Sequence, residues 1–268
     1  MSAVSRRRAM TPARRMYRDL APFYDLQYSR KDYPGEVRQL EKLVRRFGRS
    51  GGGDWLDVAC GTGRHLEILR RHHLCTGVDA SPQMLRVARR RLPGVRLVRG
   101  DMRTFRLERQ FDVVSCLFSA VANLHSEQDL TRAFANFARH LRPGGVAIVE
   151  PWILPSRAKP GHLHLLIRQD PGVTFVRLAQ SRVQGRRTVI QYRYLIGEPG
   201  RGIRYLAETD RSLMVDAERL QDLMRRSGLR PRFLARGFTS DRGLLLGVKP
   251  RRPLEFVRAK GGRRVRVR

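Results

Sequence analysis

Hydrophobic and polar positions change rhythm twice along this chain. From Pro34 the apolar residues Val37, Leu40, Leu43, Val44 and Phe47 fall at helical spacing, and Gly48 ends the run. A short apolar segment, Asp54 to Ala59, predicts a first strand, and a second helix is predicted from about Gly63 to His73. The alternation then repeats. LCTGVD (Leu74 to Asp79) reads as a strand. The next helix has Ser81 as its cap and Pro82 at its first position, and it runs to Leu92. VRLV (Val95 to Val98) and FDVVSCLF (Phe111 to Phe118) read as strands, Ser126 to Leu141 as a helix, and VAIVE (Val146 to Glu150) as a fifth strand. Alternating strands and helices build a doubly wound, mostly parallel α/β sheet.

The second rhythm begins at Trp152. VTFVRLAQSRV, RTVIQYRYLIG and IRYLAETDRSLM are β-rich pieces separated by turn signals at Gln184-Gly185 and Pro199 to Gly202. They predict an antiparallel insertion. A helix over Asp216 to Gly228 restores the first pattern, and RPRFLAR and GLLLGV supply a closing antiparallel hairpin, making seven strands. The chain so divides into a basic arm (1–15), a core (16–151 and 214–249), an antiparallel covering insertion (152–213) and a basic tail (250–268) expected to lack fixed structure.

The chemistry concentrates where strands end. DVACGTGRH (Asp57 to His65) breaks a buried-looking strand into a turn of small residues, where glycine lets a backbone approach a ligand closely. Asp79 follows about 20 residues later at the tip of the second strand, a position suited to two ribose hydroxyls. A dinucleotide site would want G-x-G-x-x-G, but Leu66 stands at the third glycine position. Asp57 before the turn and Asp101-Met102 after the third strand add two more carboxylates at strand ends. Such a rim repels a pyrophosphate and suits a cationic adenosine derivative, with Asp101 accepting from an adenine amine and Met102 packing the ring.

The formal net charge is +31. Lys31, Lys42, Lys159, Lys249 and Lys260 are the only lysines, so arginine carries most of it. The arginines are spread through nearly every helix, which favours a compositional bias over a dedicated anion-binding face. Nucleic acid is therefore left open but not favoured as a partner. No apolar run is long enough to cross a bilayer as a helix, so no membrane association is expected. Cys60, Cys75 and Cys116 form no CxxC pair, which argues against a disulfide framework and a metal site. The amino terminus lacks the apolar core of a secretory signal, so a cytoplasmic setting is expected.

The segment from Asp57 to Met102 resembles the S-adenosylmethionine site of class I methyltransferases, a Rossmann-like fold. The resemblance implies S-adenosyl-L-methionine as cofactor. It gives the methionine end to Asp57, Ala59, Cys60 and the Gly61 and Gly63 backbone, the ribose to Asp79 with Ala80 beside it, and the adenine to Met84, Asp101 and Met102. Ala59 departs from the glycine many members carry. YDLQYSRKDY, LDVACGTGRHL, GDMRTF, CLFSAVANL, EPWILPSRAKPG and DRGLLLGV further resemble the nucleotide-linked amino-sugar N,N-dimethyltransferases, over roughly residues 17–249. That similarity implies a small-molecule amine as methyl acceptor. It places Tyr17 near both methyl donor and amine, and Trp152 and Arg242 near the sugar nucleotide, while Glu150, at the end of the fifth strand, faces the substrate side in this architecture. Asn123 stands where the family often has His or Tyr to hold or deprotonate the amine, and Asn is not a base. An RNA or protein methyltransferase using the basic surface is the alternative. A homodimer is compatible with the sequence.

Overall fold

The computed structural model describes residues 15–239 and 242–251, together with the backbone of 256–258 and 264–266. The basic arm expected over 1–15 lies outside these residues but for Arg15. Two short helices open the described chain, α1 (Arg15–Arg18) and α2 (Tyr24–Gln27), followed by α3 (Tyr33–Phe47). Asp32 caps α3, its carboxylate accepting from Gly35 N at 2.8 Å. The alternating core then runs β1 (Asp54–Val58), α4 (Arg64–Leu69), β2 (Leu74–Asp79), α5 (Pro82–Arg91), β3 (Arg96–Arg99), β4 (Phe111–Cys116), α6 (Glu127–His140) and β5 (Leu141–Val149). Ser81 and Ser126 cap α5 and α6 as their sequence predicts, accepting from Met84 N and Asp129 N at 3.1 Å each. Four antiparallel strands follow, β6 (Leu163–Asp170), β7 (Val173–Gln184), β8 (Arg187–Glu198) and β9 (Gly202–Leu213), then α7 (Ala217–Arg226), β10 (Arg230–Leu234) and β11 (Leu244–Val248).

The main sheet has seven strands in the order β10-β11-β5-β4-β1-β2-β3. Its five amino-terminal strands pair parallel, and β11 and β10 are added antiparallel, as the predicted closing hairpin requires. Central strands are buried on both faces, and their period of two sorts residues between layers. Leu56, Val58, Val114, Ala147 and Val149 pack with Phe134 and Phe137 of α6 and Leu223 of α7. Trp55, Val113, Val146 and Ile148 pack with Val37, Leu40 and Leu43 of α3. The chain leaves β1 towards β2 and β3, then returns to β4 on the other side. This reversal opens a crevice at the carboxyl ends of β1 and β4, the place where open α/β sheets bind ligands.

Three elements differ from the sequence reading. The helix expected to reach His73 ends at Leu69, because Leu66 and Leu69 face the core while Arg70, Arg71 and His72 are exposed. The fifth strand starts at Leu141 rather than Val146; Leu141 pairs with Phe111, and a shift of register around Gly144, at φ 85°, precedes Val146. Strand β6 was not foreseen within the insertion. Its inner face carries Leu166, but Leu163, Leu165 and Ile167 alternate onto the outer face and stay exposed, which erases the usual polar–apolar signal. In the basic tail, Phe256–Arg258 and Arg264–Arg266 pair as two short antiparallel strands, β12 and β13, and its other residues beyond 251 lie outside the described ones. Among the described residues no helix is long and apolar enough to cross a membrane.

The inner face of the four-stranded sheet is covered by the amino-terminal segment. Met16 and Leu20 are buried with Leu166, Phe175, Tyr194 and Ile196, and Tyr17, Phe23 and Tyr24 pack against that cluster. The segment over residues 16–24 is thus the layer between insertion and core.

Candidate active site

Strand β1 ends in a turn that most side chains would not tolerate. Ala59, Gly61 and Gly63 have φ of 59°, 57° and 80°. Ala59 holds this left-handed conformation at a cost of about 1 kcal/mol. A Cβ on Gly63 would meet Leu92 Cδ1 at 2.5 Å, so that glycine serves close packing of the turn on α5. A Cβ on Gly61 would meet nothing within 4 Å, so that glycine presents bare backbone to open space. Asp79 ties the turn to β2. Its Oδ2 accepts from Gly61 N and its Oδ1 from Ser81 N, both at 2.8 Å. Burial raises the Asp79 carboxyl above its ordinary range, although the Ser81 and Gly61 amides pull the other way.

Above this turn lies a cavity of about 440 Å³. It gathers Tyr17, Ala59, Gly61, Asp79, Ala80, Met84, Asp101, Met102 and Asn123, all of them residues singled out from the sequence. It also includes Tyr24, Arg99, Phe118 and His125, which were not, and Ser81, which the sequence marked only as a helix cap. Asn123 lies at the end of a single helical turn after β4, and its Nδ2 donates to Ala120 O at 2.8 Å.

Asp57, Cys60 and Gly63 are not in the wall of this cavity. Asp57, expected on an acidic rim, lies one layer deeper. Ser115 Oγ donates to its Oδ1 at 2.7 Å and accepts from Trp55 Nε1 at 2.8 Å. Strand parity puts Asp57 on the same side of β1 as Trp55, within the sheet's packing. Burial pushes its carboxyl up to about 6, with His65 and Ser115 opposing. Cys60 is buried against Leu66, Leu85 and Leu92, and burial pushes its thiol well up. The rim thus carries two carboxylates, Asp79 and Asp101.

The amino-terminal segment is fastened over the cavity at two points. Ser81 Oγ donates to Tyr17 O at 2.5 Å. Asp25 accepts from Thr62 Oγ1 and from Arg91 Nη2, each at 2.6 Å, while Arg91 Nη1 donates to Thr62 O at 2.6 Å. These bonds tie α2 to the glycine turn and to the end of α5, and they bring Tyr17 and Tyr24 over the opening.

A second cluster adjoins the cavity through Phe118. Phe118 and Ser119 have φ of 51° and 53°, strained values for residues with side chains. Glu150 Oε2 accepts from Phe118 N at 2.6 Å, and Arg242 Nη1 donates to Glu150 Oε1 at 3.4 Å. The Arg242 guanidinium lies 5.0 Å from the Trp152 ring centre, and Trp152 Nε1 donates to Thr188 Oγ1 at 2.7 Å. Glu150, Trp152 and Arg242 therefore meet, although the first two follow the end of β5 and the third lies in the segment before β11. Lys31 sits 4.7 Å from the Phe118 ring centre and pairs with Glu36, which also bonds His65 Nε2 at 2.7 Å. Burial raises the Glu150 carboxyl above its ordinary range, with Arg242 and Lys31 opposing. Lys31, Glu36 and Phe118 gave no local signal; only the resemblance of YDLQYSRKDY marked the segment that carries Lys31.

Comparison with known proteins extends these observations. A family profile described as a methyltransferase domain matches residues 56–145. The chain is 38% identical over 233 residues to a dTDP-3-amino-3,6-dideoxy-alpha-D-glucopyranose N,N-dimethyltransferase from Streptomyces fradiae, covering 86% of this chain and 91% of that protein. Among solved structures it is similar to Streptomyces venezuelae DesVI, with a TM-score of 0.80 and 37% identity over 86% of this chain and 98% of that one. It is also similar to S-adenosylmethionine-bound CalS10, an amino pentose methyltransferase from Micromonospora echinaspora, with a TM-score of 0.74 and 33% identity over 90% and 99% of the two chains.

Proposed function

We propose that this chain, which belongs to the family of S-adenosylmethionine-dependent amino-sugar N,N-dimethyltransferases, methylates an amine on a deoxysugar nucleotide. The observation that carries the reading is the joining of two chemistries at Phe118: a carboxylate-lined cavity on one side and an Arg–Trp–Glu cluster on the other.

The cavity fits the cofactor. Gly61 offers backbone without a side chain, Asp79 and Asp101 offer carboxylates, and Tyr17, Tyr24 and Met102 offer apolar and aromatic surface. In this reading Asp79 holds the ribose hydroxyls, Asp101 and Met102 the adenine with Met84 packed nearby, and the Ala59–Gly61 backbone the methionine end. S-adenosylmethionine, when bound, supplies a methyl group on a sulfonium that needs only an aligned nucleophile in a dry site. Tyr17 borders both donor and acceptor and orients the amine. Asn123 can hold that amine but cannot take its proton, so the amine must arrive neutral or lose its proton elsewhere. Arg242, stacked on Trp152, presents a cation to the acceptor's phosphates.

Two further features belong to the same proposal. The outer face of the four-stranded sheet carries the cross-strand row Ile167–Val176–Leu195–Tyr205, and Ile167, Leu195 and Tyr205 are exposed with Leu165 and Leu178 beside them. An apolar patch of this kind supports a homodimer through that face. The three free cysteines suit a reducing, cytoplasmic setting.

The test is incubation with S-adenosylmethionine and dTDP-linked 3-amino and 4-amino deoxysugars, read by mass spectrometry. The expected result is a product heavier by one and then two methyl groups. Methylation of none of these amines, with the cofactor bound, would overturn the acceptor assignment.

A further inference from the structure

Asp101 is not a loose carboxylate at the cavity wall. Within two residues it is gripped by Arg103: the backbone N of Arg103 donates to Oδ1 at 2.8 Å, its Nε to the same oxygen at 3.0 Å, and its Nη2 to Oδ2 at 2.6 Å. The remaining arm of the guanidinium, Nη1, reaches Asp129 Oδ1 at 3.2 Å in the first turn of α6. One planar fork thus fixes the carboxylate plane and anchors it to a helix on the far side of the loop that carries Asn123 and His125. A lysine could supply the charge but not the two-point geometry. Burial pushes the Asp101 carboxyl up, but the Arg103 bonds outweigh it and hold the group below its usual range. A carboxylate held ionised is an acceptor only, and here Arg103 already uses three acceptor positions, two at Oδ1 and one at Oδ2. Whatever meets Asp101 across the cavity must donate a hydrogen bond.

We propose that Arg103 is a positioning residue that sets the base specificity of the cofactor site, by holding Asp101 as an oriented acceptor for the 6-amino group of adenine against a 6-oxo purine. This rests on the assignment of adenine to Asp101 and Met102. A 6-oxo ring would bring a carbonyl oxygen against a fixed carboxylate, leaving two acceptors facing each other with no proton between them. Sites built to bond a particular polar group reject its mismatched analogue strongly for this reason.

The experiment measures binding, not turnover. S-adenosylhomocysteine and its deaminated analogue S-inosylhomocysteine are titrated calorimetrically into the wild-type protein, Arg103→Met, Arg103→Lys and Asp101→Asn, with thermal melts to confirm that each is folded. The wild type is expected to favour the adenine compound by roughly 100-fold or more. Arg103→Met should shrink that ratio below about 10-fold, and Arg103→Lys should restore part of it. Asp101→Asn, whose amide can donate as well as accept, should bring the ratio to near one or invert it. A wild-type ratio kept by Arg103→Met, with both ligands weakened equally, would show Arg103 to be a structural brace and overturn the proposal. A ratio also kept by Asp101→Asn would instead overturn the placement of adenine itself. An unselective wild-type site would sink both.

Discussion

The two halves of the site are built by different means. The cofactor side is mostly a local construction: one turn, one strand tip and one helix cap between Asp57 and Met84, held by backbone amides on a buried carboxylate, with Asp101 and Met102 completing it after β3. The acceptor side is assembled from afar. Lys31, Phe118, the stretch holding Glu150 and Trp152, and Arg242 come from four segments, and charged or aromatic side chains rather than backbone make most of its contacts. A backbone cradle fixes a ligand common to a whole family of reactions. A cluster of side chains can be exchanged piece by piece to suit one acceptor. The two should therefore break separately.

The largest effect is expected at the cradle. Gly61→Leu puts a side chain where the backbone now borders open space, at a φ that only glycine adopts freely, and should lower kcat/KM by roughly 10³-fold through lost cofactor binding. Steady-state kinetics with the cofactor varied, beside a melting curve showing a folded protein, checks this. Next comes Asp57. It ionises near 6 in the fold against 3.8 for an ordinary carboxyl. The folded state thus favours its protonated form, and the cost of ionising it is absent below about pH 4, grows towards pH 6 and is complete above. At 1.36 kcal/mol per unit, that cost is about 3 kcal/mol. Asp57→Asn should therefore stabilise the cofactor-free protein at pH 7.5 by up to about 3 kcal/mol and leave it unchanged at pH 4. Denaturant unfolding at the two pH values distinguishes this from a flat response, which would mean that Asp57 is not held against ionisation.

On the acceptor side, Arg242→Gln should raise the KM for the sugar nucleotide roughly 10–100-fold and leave cofactor affinity within about 2-fold. An equal loss for both ligands would mean that the halves are not separable. The smallest effect is expected at the fastening between them. Asp25→Asn removes the charge that Arg91 grips and should speed cofactor release about 3–10-fold, with faster amide exchange over residues 15–28. Stopped-flow displacement and hydrogen exchange read the two directly.

This division also explains what could be read from the chain alone. The turn at Cys60 to Gly63, the acid at Asp79 and the Ser81 cap are legible because their spacing is their geometry. The depth of Asp57 was not, since strand parity sends a residue to one layer or the other only once α3 is known to pack there. Trp152 and Arg242 were reached through resemblance and Glu150 through its place at the end of a strand, and no spacing relates Arg242 to the other two. Arg103 was hidden among many arginines, and only its two-point hold on Asp101 separates it from the rest. Strand β6 escaped because its exposed face is as apolar as a core.

The central claim is that the Asp79 carboxylate organises the cofactor side independently of the acceptor side. Calorimetric titration of S-adenosylmethionine into the wild type, Asp79→Ala and Arg242→Gln measures it most directly. Binding should weaken by roughly 100-fold or more in Asp79→Ala and stay near wild type in Arg242→Gln. Wild-type affinity in Asp79→Ala would contradict the account.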